Sequence, residues 1–92
     1  MNSFHVATFH SVSQALRFEK QLQRNQLEVK IIPVPRIISS SCGIAARFSD
    51  DNLSAVIELL LHYETEVEGI YHLTYPKKKV HAERISGPWD SK

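Results

Sequence analysis

Apolar residues along the 92-residue chain switch between two spacings, and the switches lay out the elements. Phe4 to Phe9 is rich in aromatic and β-branched residues and predicts a strand. Ser11 followed three positions later by Gln14 fits a capping box, so a helix starts there. Val12, Ala15, Leu16 and Leu22 keep helical spacing, Arg17, Lys20, Gln21 and Arg24 can face water, and Asn25 ends the run. Val29 to Ile32 predicts a second strand, stopped by Pro33 and Pro35. Ile44, Ala46 and Phe48 alternate with Ala45 and Arg47, which is strand spacing again. Ser49-Asp50-Asp51-Asn52 supplies N-caps and first-turn carboxylates. Leu53, Val56, Ile57, Leu60 and Glu64 then share a helical face that Leu59 and Leu61 broaden. Gly69 precedes a last strand, Ile70 to Tyr75. From Pro76 the chain turns basic with Lys77, Lys78 and Lys79, and it becomes irregular at Gly87-Pro88.

The order βαββαβ predicts an α+β domain of ferredoxin-like or ACT-like build over residues 1–76, with 77–92 as a basic C-terminal tail. Such a domain has a four-stranded antiparallel sheet, spatial order 4-1-3-2, with both helices on one face. In that topology the second strand runs parallel to the first, and the third pairs beside the first. Cys42 is therefore expected near Phe9, His10 and Ser11, at the start of the first helix, and Lys77–Lys79 at the opposite edge. The first and last strands are apolar on both sides of their alternation, whereas a half-exposed sheet alternates apolar with polar. Something must cover the second face. A second copy of the chain, a homodimer, is the simplest cover, and the tail residues Val80, Ile85 and Trp89 are the competing one.

Composition narrows the function classes. The net charge of +1 argues against an extended nucleic-acid surface. A single cysteine forms no internal disulfide and fits a reduced, cytoplasmic setting. No apolar run approaches the ~20 residues of a membrane span, and no charged-then-apolar leader opens the chain. The five histidines, His5, His10, His62, His72 and His81, have no close spacing to Cys42, and no HxH or CxxC occurs. No metal site or cofactor is expected.

The unusual chemistry is concentrated between Pro33 and Gly43, which holds the cysteine, two prolines, three consecutive serines and a glycine. Backbone N–H groups from Ser39, Ser40, Ser41 and Gly43 can form a nest for an anion, and Ser11 at the helix start adds the positive end of a helix dipole. Arg36 adds a planar, permanently charged donor set. A thiol among such donors is favoured as the thiolate. The bland alternative is that Cys42 packs as a small hydrophobe. The serines act as turn formers, since no His/Asp arrangement makes one a nucleophile. His10 would assist Cys42 if the fold brought it close, although a solvent-facing loop histidine is the plainer expectation. Without a second cysteine, dithiol redox work is excluded.

Pro33-Val34-Pro35-Arg36, then Ser39-Ser40-Ser41-Cys42-Gly43, then Ala45 and Arg47-Phe48 resemble the signature of a family of small selenium/sulfur (Se/S) carrier-like proteins. Phe9-His10-Ser11, Ala15-Leu16 and Glu19-Lys20 are similar to that family's opening segment. The resemblance covers about residues 4 to 75. It implies that Cys42 is a carrier thiol, with Arg36 and Arg47 in its motif, passing a persulfide or selenosulfide between donor and acceptor proteins. It implies a carrier rather than a stand-alone enzyme. The other reading, from a different class, is a non-catalytic ACT-like regulatory module holding a small anion at the same loop.

Overall fold

The computed structural model describes residues 2–38, 42–63, 65–75, 80–85 and 87. The elements in chain order are β1 (Asn2–Thr8), α1 (Val12–Arg24), β2 (Lys30–Pro33), β3 (Ile44–Phe48), a 3-10 turn (Asp50–Asn52), α2 (Leu53–Tyr63), β4 (Gly69–Tyr75) and β5 (His81–Ile85). All strand pairs are antiparallel and the sheet order is β2-β3-β1-β4-β5.

The expected order of four strands is present, but the expected count of four is corrected to five. The added strand, β5, pairs with β4 from Ile70↔Ile85 to Thr74↔His81. Its sequence, His-Ala-Glu-Arg-Ile, offers little period-2 contrast, and most of its side chains are exposed or only half-buried. What recruits it is the row of backbone groups along the outer edge of β4, which needs partners whatever the side chains are. The lysines 77–79, Trp89 and the serines 39–41 lie outside the described residues.

Both helices lie on one face. Ala15, Phe18 and Leu22 of α1 and Val56 and Leu60 of α2 bury against Ala7, Phe9, Ala46, Phe48 and Ile70. The buried stripe of α1 differs from the expected one: Phe18 is fully buried, while Val12 and Leu16 are about half exposed. Helical spacing admits both stripes, and the larger side chain takes the core, since a buried aromatic removes 150–250 Å² from water. The start of α1 is as expected, with the Gln14 N–H donating to the Ser11 hydroxyl at 3.3 Å. The Gln14 side chain returns its carbonyl to the N–H of His10 rather than that of Ser11. The end is a Schellman motif. Gln26 takes a left-handed backbone (φ 60°), Leu27 N–H reaches Leu22 C=O at 2.9 Å, and Gln26 N–H reaches Gln23 C=O at 3.0 Å.

The second face of the sheet carries its own buried cluster of Phe4, Val6, Ala45 and Leu73, with Val80 and Ala82 packed alongside. Part of its cover comes from an unexpected source. Ile38, from the loop between β2 and β3, folds over this face and is 6% exposed. Among the described residues, no helix is long and apolar enough to cross a membrane.

Candidate functional site

Two ends of the sheet carry polar chemistry. The first is the loop from Val34 to Gly43. Pro33 pairs with Ile44, and the Val34 N–H donates to the Gly43 carbonyl at 3.1 Å, which closes the loop's neck. A turn follows, in which the Ile38 N–H donates to the Pro35 carbonyl at 3.0 Å. Gly43 sits at φ +79°, and a Cβ there would meet nothing within 4 Å. The glycine is therefore required by its backbone conformation, not by crowding.

The loop is fastened on both faces of the sheet. Ile38 packs into the Phe4–Leu73 cluster on one face, and Cys42 packs against the helix-side core on the other. Cys42 is half-buried, and its S–H donates to the Ile44 carbonyl at 3.3 Å. Arg36 and Ile37 are exposed in the turn that leads into Ile38.

Register places α1 at the same end. Thr8 is opposite Ala45, so β1 leaves the sheet where β3 enters it, and Ser11 and Cys42 lie at one end of the molecule. No acidic residue occupies the first turn of α1, so its own side chains leave the positive end of the helix unneutralised.

Two expected site residues go elsewhere. Arg47 is exposed on the second face, its guanidinium 4.0 Å from the centre of the Phe4 ring, on the side of the sheet opposite Cys42. His10 is exposed, with Nδ1 3.9 Å from a Glu68 carboxylate oxygen. Glu68 bonds Thr8 just before β4, whereas Cys42 precedes β3 on the other side of β1.

The chain matches a family model described as "Putative Se/S carrier protein-like" over residues 4–72. It belongs to that family. No curated protein and no solved structure matches it. The matched span of this Se/S carrier-family domain includes the whole loop and ends inside β4, so β5 lies beyond it.

The second polar end went unnoticed in the sequence. His5 of β1, Asp50 of the 3-10 turn and His72 of β4 bring one ligand atom each within 4.8 Å of one another. His5 Nδ1 lies 2.7 Å from Asp50 Oδ1, and His72 Nε2 lies 3.3 Å from Asp50 Oδ2. The two imidazoles stack at 4.6 Å, and the Ser3 hydroxyl donates to Asp50. Burial pushes the pKa of His5 below its ordinary value, against the opposing pull of Asp50. Burial alone would raise the Asp50 carboxyl, but hydrogen bonds from Ser3 and His72, with His5 beside it, hold it below the usual carboxylate value. The only sequence signal was weak: His5 and His72 are polar residues at inward positions of apolar strands.

Proposed function

We propose that this Se/S carrier-family domain carries sulfur or selenium on Cys42. The observation that supports the reading most is a half-buried single thiol on a loop anchored at both faces, at the sheet end where α1 begins. A carrier sulfur has to be held in place yet open to two successive partners, and a doubly anchored loop serves both needs. In loading, the Cys42 thiolate attacks the outer sulfur of a donor persulfide. One S–S bond forms as another breaks, and the donor leaves as its thiolate with no net oxidation. An acceptor nucleophile then takes the outer atom and returns Cys42 to the thiolate. Arg36, Gly43 and Ser11, with the N–H groups of Ser39, Ser40 and Ser41, are the groups proposed to hold the anionic outer atom. Arg47 acts as packing on the second face, and His10 has no part.

The domain build is read as an ACT-like βαββαβ unit extended by β5. The family implies donor or acceptor partners. A reduced cytoplasmic setting and a homodimer through the second face complete the proposal, the exposed Tyr75 stacked on Phe4 at 5.5 Å being the natural seam.

One observation favours the second reading, an anion-binding module in which Cys42 only packs: its S–H is bonded to Ile44 within the loop. Intact mass of the native protein, incubated with cysteine and a desulfurase, separates the two. The carrier gains one sulfur atom, the gain is reversed by a thiol reductant, and Cys42→Ser gains none. Absence of any gain, with Cys42 alkylated only after unfolding, leaves the module.

A further inference from the structure

The second cluster lies far from Cys42. His5 pairs with Phe48, six residues along the chain from Cys42, or roughly 20 Å at ~3.3 Å per residue. We propose that His5, Asp50 and His72 form a binding site for a divalent transition-metal ion of the zinc class. His5 Nδ1, one Asp50 oxygen and His72 Nε2 are the ligands.

Each ligand stands on a different, well-braced support. His5 and His72 are directly opposed on the paired strands β1 and β4. Asp50 opens the 3-10 turn that follows β3, whose first turn is capped by the Ser49 hydroxyl taking the Asp51 N–H at 3.1 Å. The His5 ring is also held against Phe48 at 5.7 Å. Two imidazoles and one carboxylate are a three-protein-ligand set that zinc-type ions accept, with a fourth position left open. Magnesium and calcium prefer all-oxygen shells and fit poorly.

Charge and access agree with this. With both imidazoles neutral and Asp50 ionised, the cluster carries a charge of −1. The ion-pair partners of Asp50 among the described residues are His5 and His72, with no lysine or arginine. The His5 side chain is 6% exposed, but those of Asp50 and His72 are 36% and 31% exposed, so the site is closed at its base and open above. Ligand atoms around a tetrahedral ion stand ~3.3 Å apart, as follows from bonds of ~2.0–2.1 Å. His72 Nε2 already stands at that spacing from Asp50 Oδ2, whereas His5 Nδ1 lies 2.7 Å from the other oxygen, Oδ1, and has to shift for the three to surround one ion. On binding, the proton each ring donates to Asp50 moves to its other nitrogen, from Nδ1 to Nε2 in His5 and from Nε2 to Nδ1 in His72, which leaves a lone pair on each ligand atom for the ion. The Ser3 hydroxyl keeps the carboxylate oriented, as outer partners of metal ligands do.

The test uses the full chain, stripped with a chelator and titrated with Zn²⁺ against a chromophoric competitor. Co²⁺ is used in parallel to read visible d–d bands. We expect one equivalent bound with micromolar affinity or better, and a higher thermal midpoint with Zn²⁺. Cys42→Ser should leave both unchanged. Asp50→Asn and His72→Ala, confirmed folded by circular dichroism, should each weaken binding by ~100-fold or more, and Ser3→Ala by ~10-fold. In the unmodified protein, Zn²⁺ should shift the imidazole ¹⁵N resonances of His5 and His72, and not those of His10, His62 or His81. That readout holds even if a variant fails to fold. A hydrogen-bonded triad that takes up no stoichiometric ion overturns the proposal. So does binding that survives both ligand substitutions, disappears with Cys42→Ser, or perturbs other histidines instead.

Discussion

The two ends of this sheet solve the same problem in opposite ways. At the Cys42 end the loop carrying the thiol is held by hydrocarbon: Ile38 in one core, Cys42 against the other, with a hydrogen-bonded neck between Val34 and Gly43. At the His5 end the polar groups hold each other, three donors converging on the single carboxylate of Asp50. Hydrophobic anchoring is non-directional, and beside it the Cys42 thiol donates one hydrogen bond to the Ile44 carbonyl. Hydrogen-bonded anchoring fixes the atoms but consumes their valences. A chain of rings joins the ends, from Phe9 to Phe18 at 5.2 Å, Phe48 at 6.4 Å and His5 at 5.7 Å.

The sharpest way to break the comparison is Cys42→Ser. It should abolish sulfur loading entirely in the mass assay while leaving unfolding within ~0.5 kcal/mol of the parent, the usual range for a substitution that empties no large cavity. Phe18→Ala cuts the link between the ends and should cost ~3–5 kcal/mol by chemical denaturation, because the ring is fully buried. Ile38→Ala should cost ~2–4 kcal/mol and slow sulfur loading, whereas its exposed neighbour Ile37→Ala should change stability by less than ~0.5 kcal/mol. Equal effects at the two positions would mean that the loop is not anchored on the second face. Ser11→Ala should cost about 1 kcal/mol through the lost cap.

Acidification weakens the His5 end. The folded pKa of His5 is below its unfolded value of ~6.5, so its contribution is complete above that pH and is lost as pH falls beneath it. Asp50, also lowered, adds a further loss below ~4. Thermal midpoints of the chelator-treated protein should therefore fall from pH 7.5 to 5.5, and the fall should shrink in His5→Phe if that variant folds. A flat profile would remove the charge argument at this end.

The same contrast explains what was legible in the residues. The loop's chemistry is contiguous, so Cys42, Gly43 and Arg36 could be read from neighbouring letters, and the caps at Ser11 and Asn25 are local signals too. The four-strand order followed from alternation and connection lengths. The His5 cluster joins positions 45 and 22 residues apart, and nothing local marks such a pairing. Phe18 was hidden in the charged run Arg17-Phe18-Glu19-Lys20, where it looks like a stray apolar residue until tertiary packing selects the stripe. Strand β5 was missed because main-chain pairing, not side-chain pattern, creates it.

The margins of the sheet carry a consequence for who can visit it. Among the described residues, one border is the four-residue β2, which begins at an exposed Lys30 and closes on Pro33, a residue with no amide hydrogen to offer. The other is β5, studded with His81, Glu83 and Arg84. Both borders discourage an extra ribbon from zipping on. On the proposed carrier reading, a donor or acceptor approaches over a face rather than along a border, and side-chain contact rather than borrowed main-chain pairing selects it.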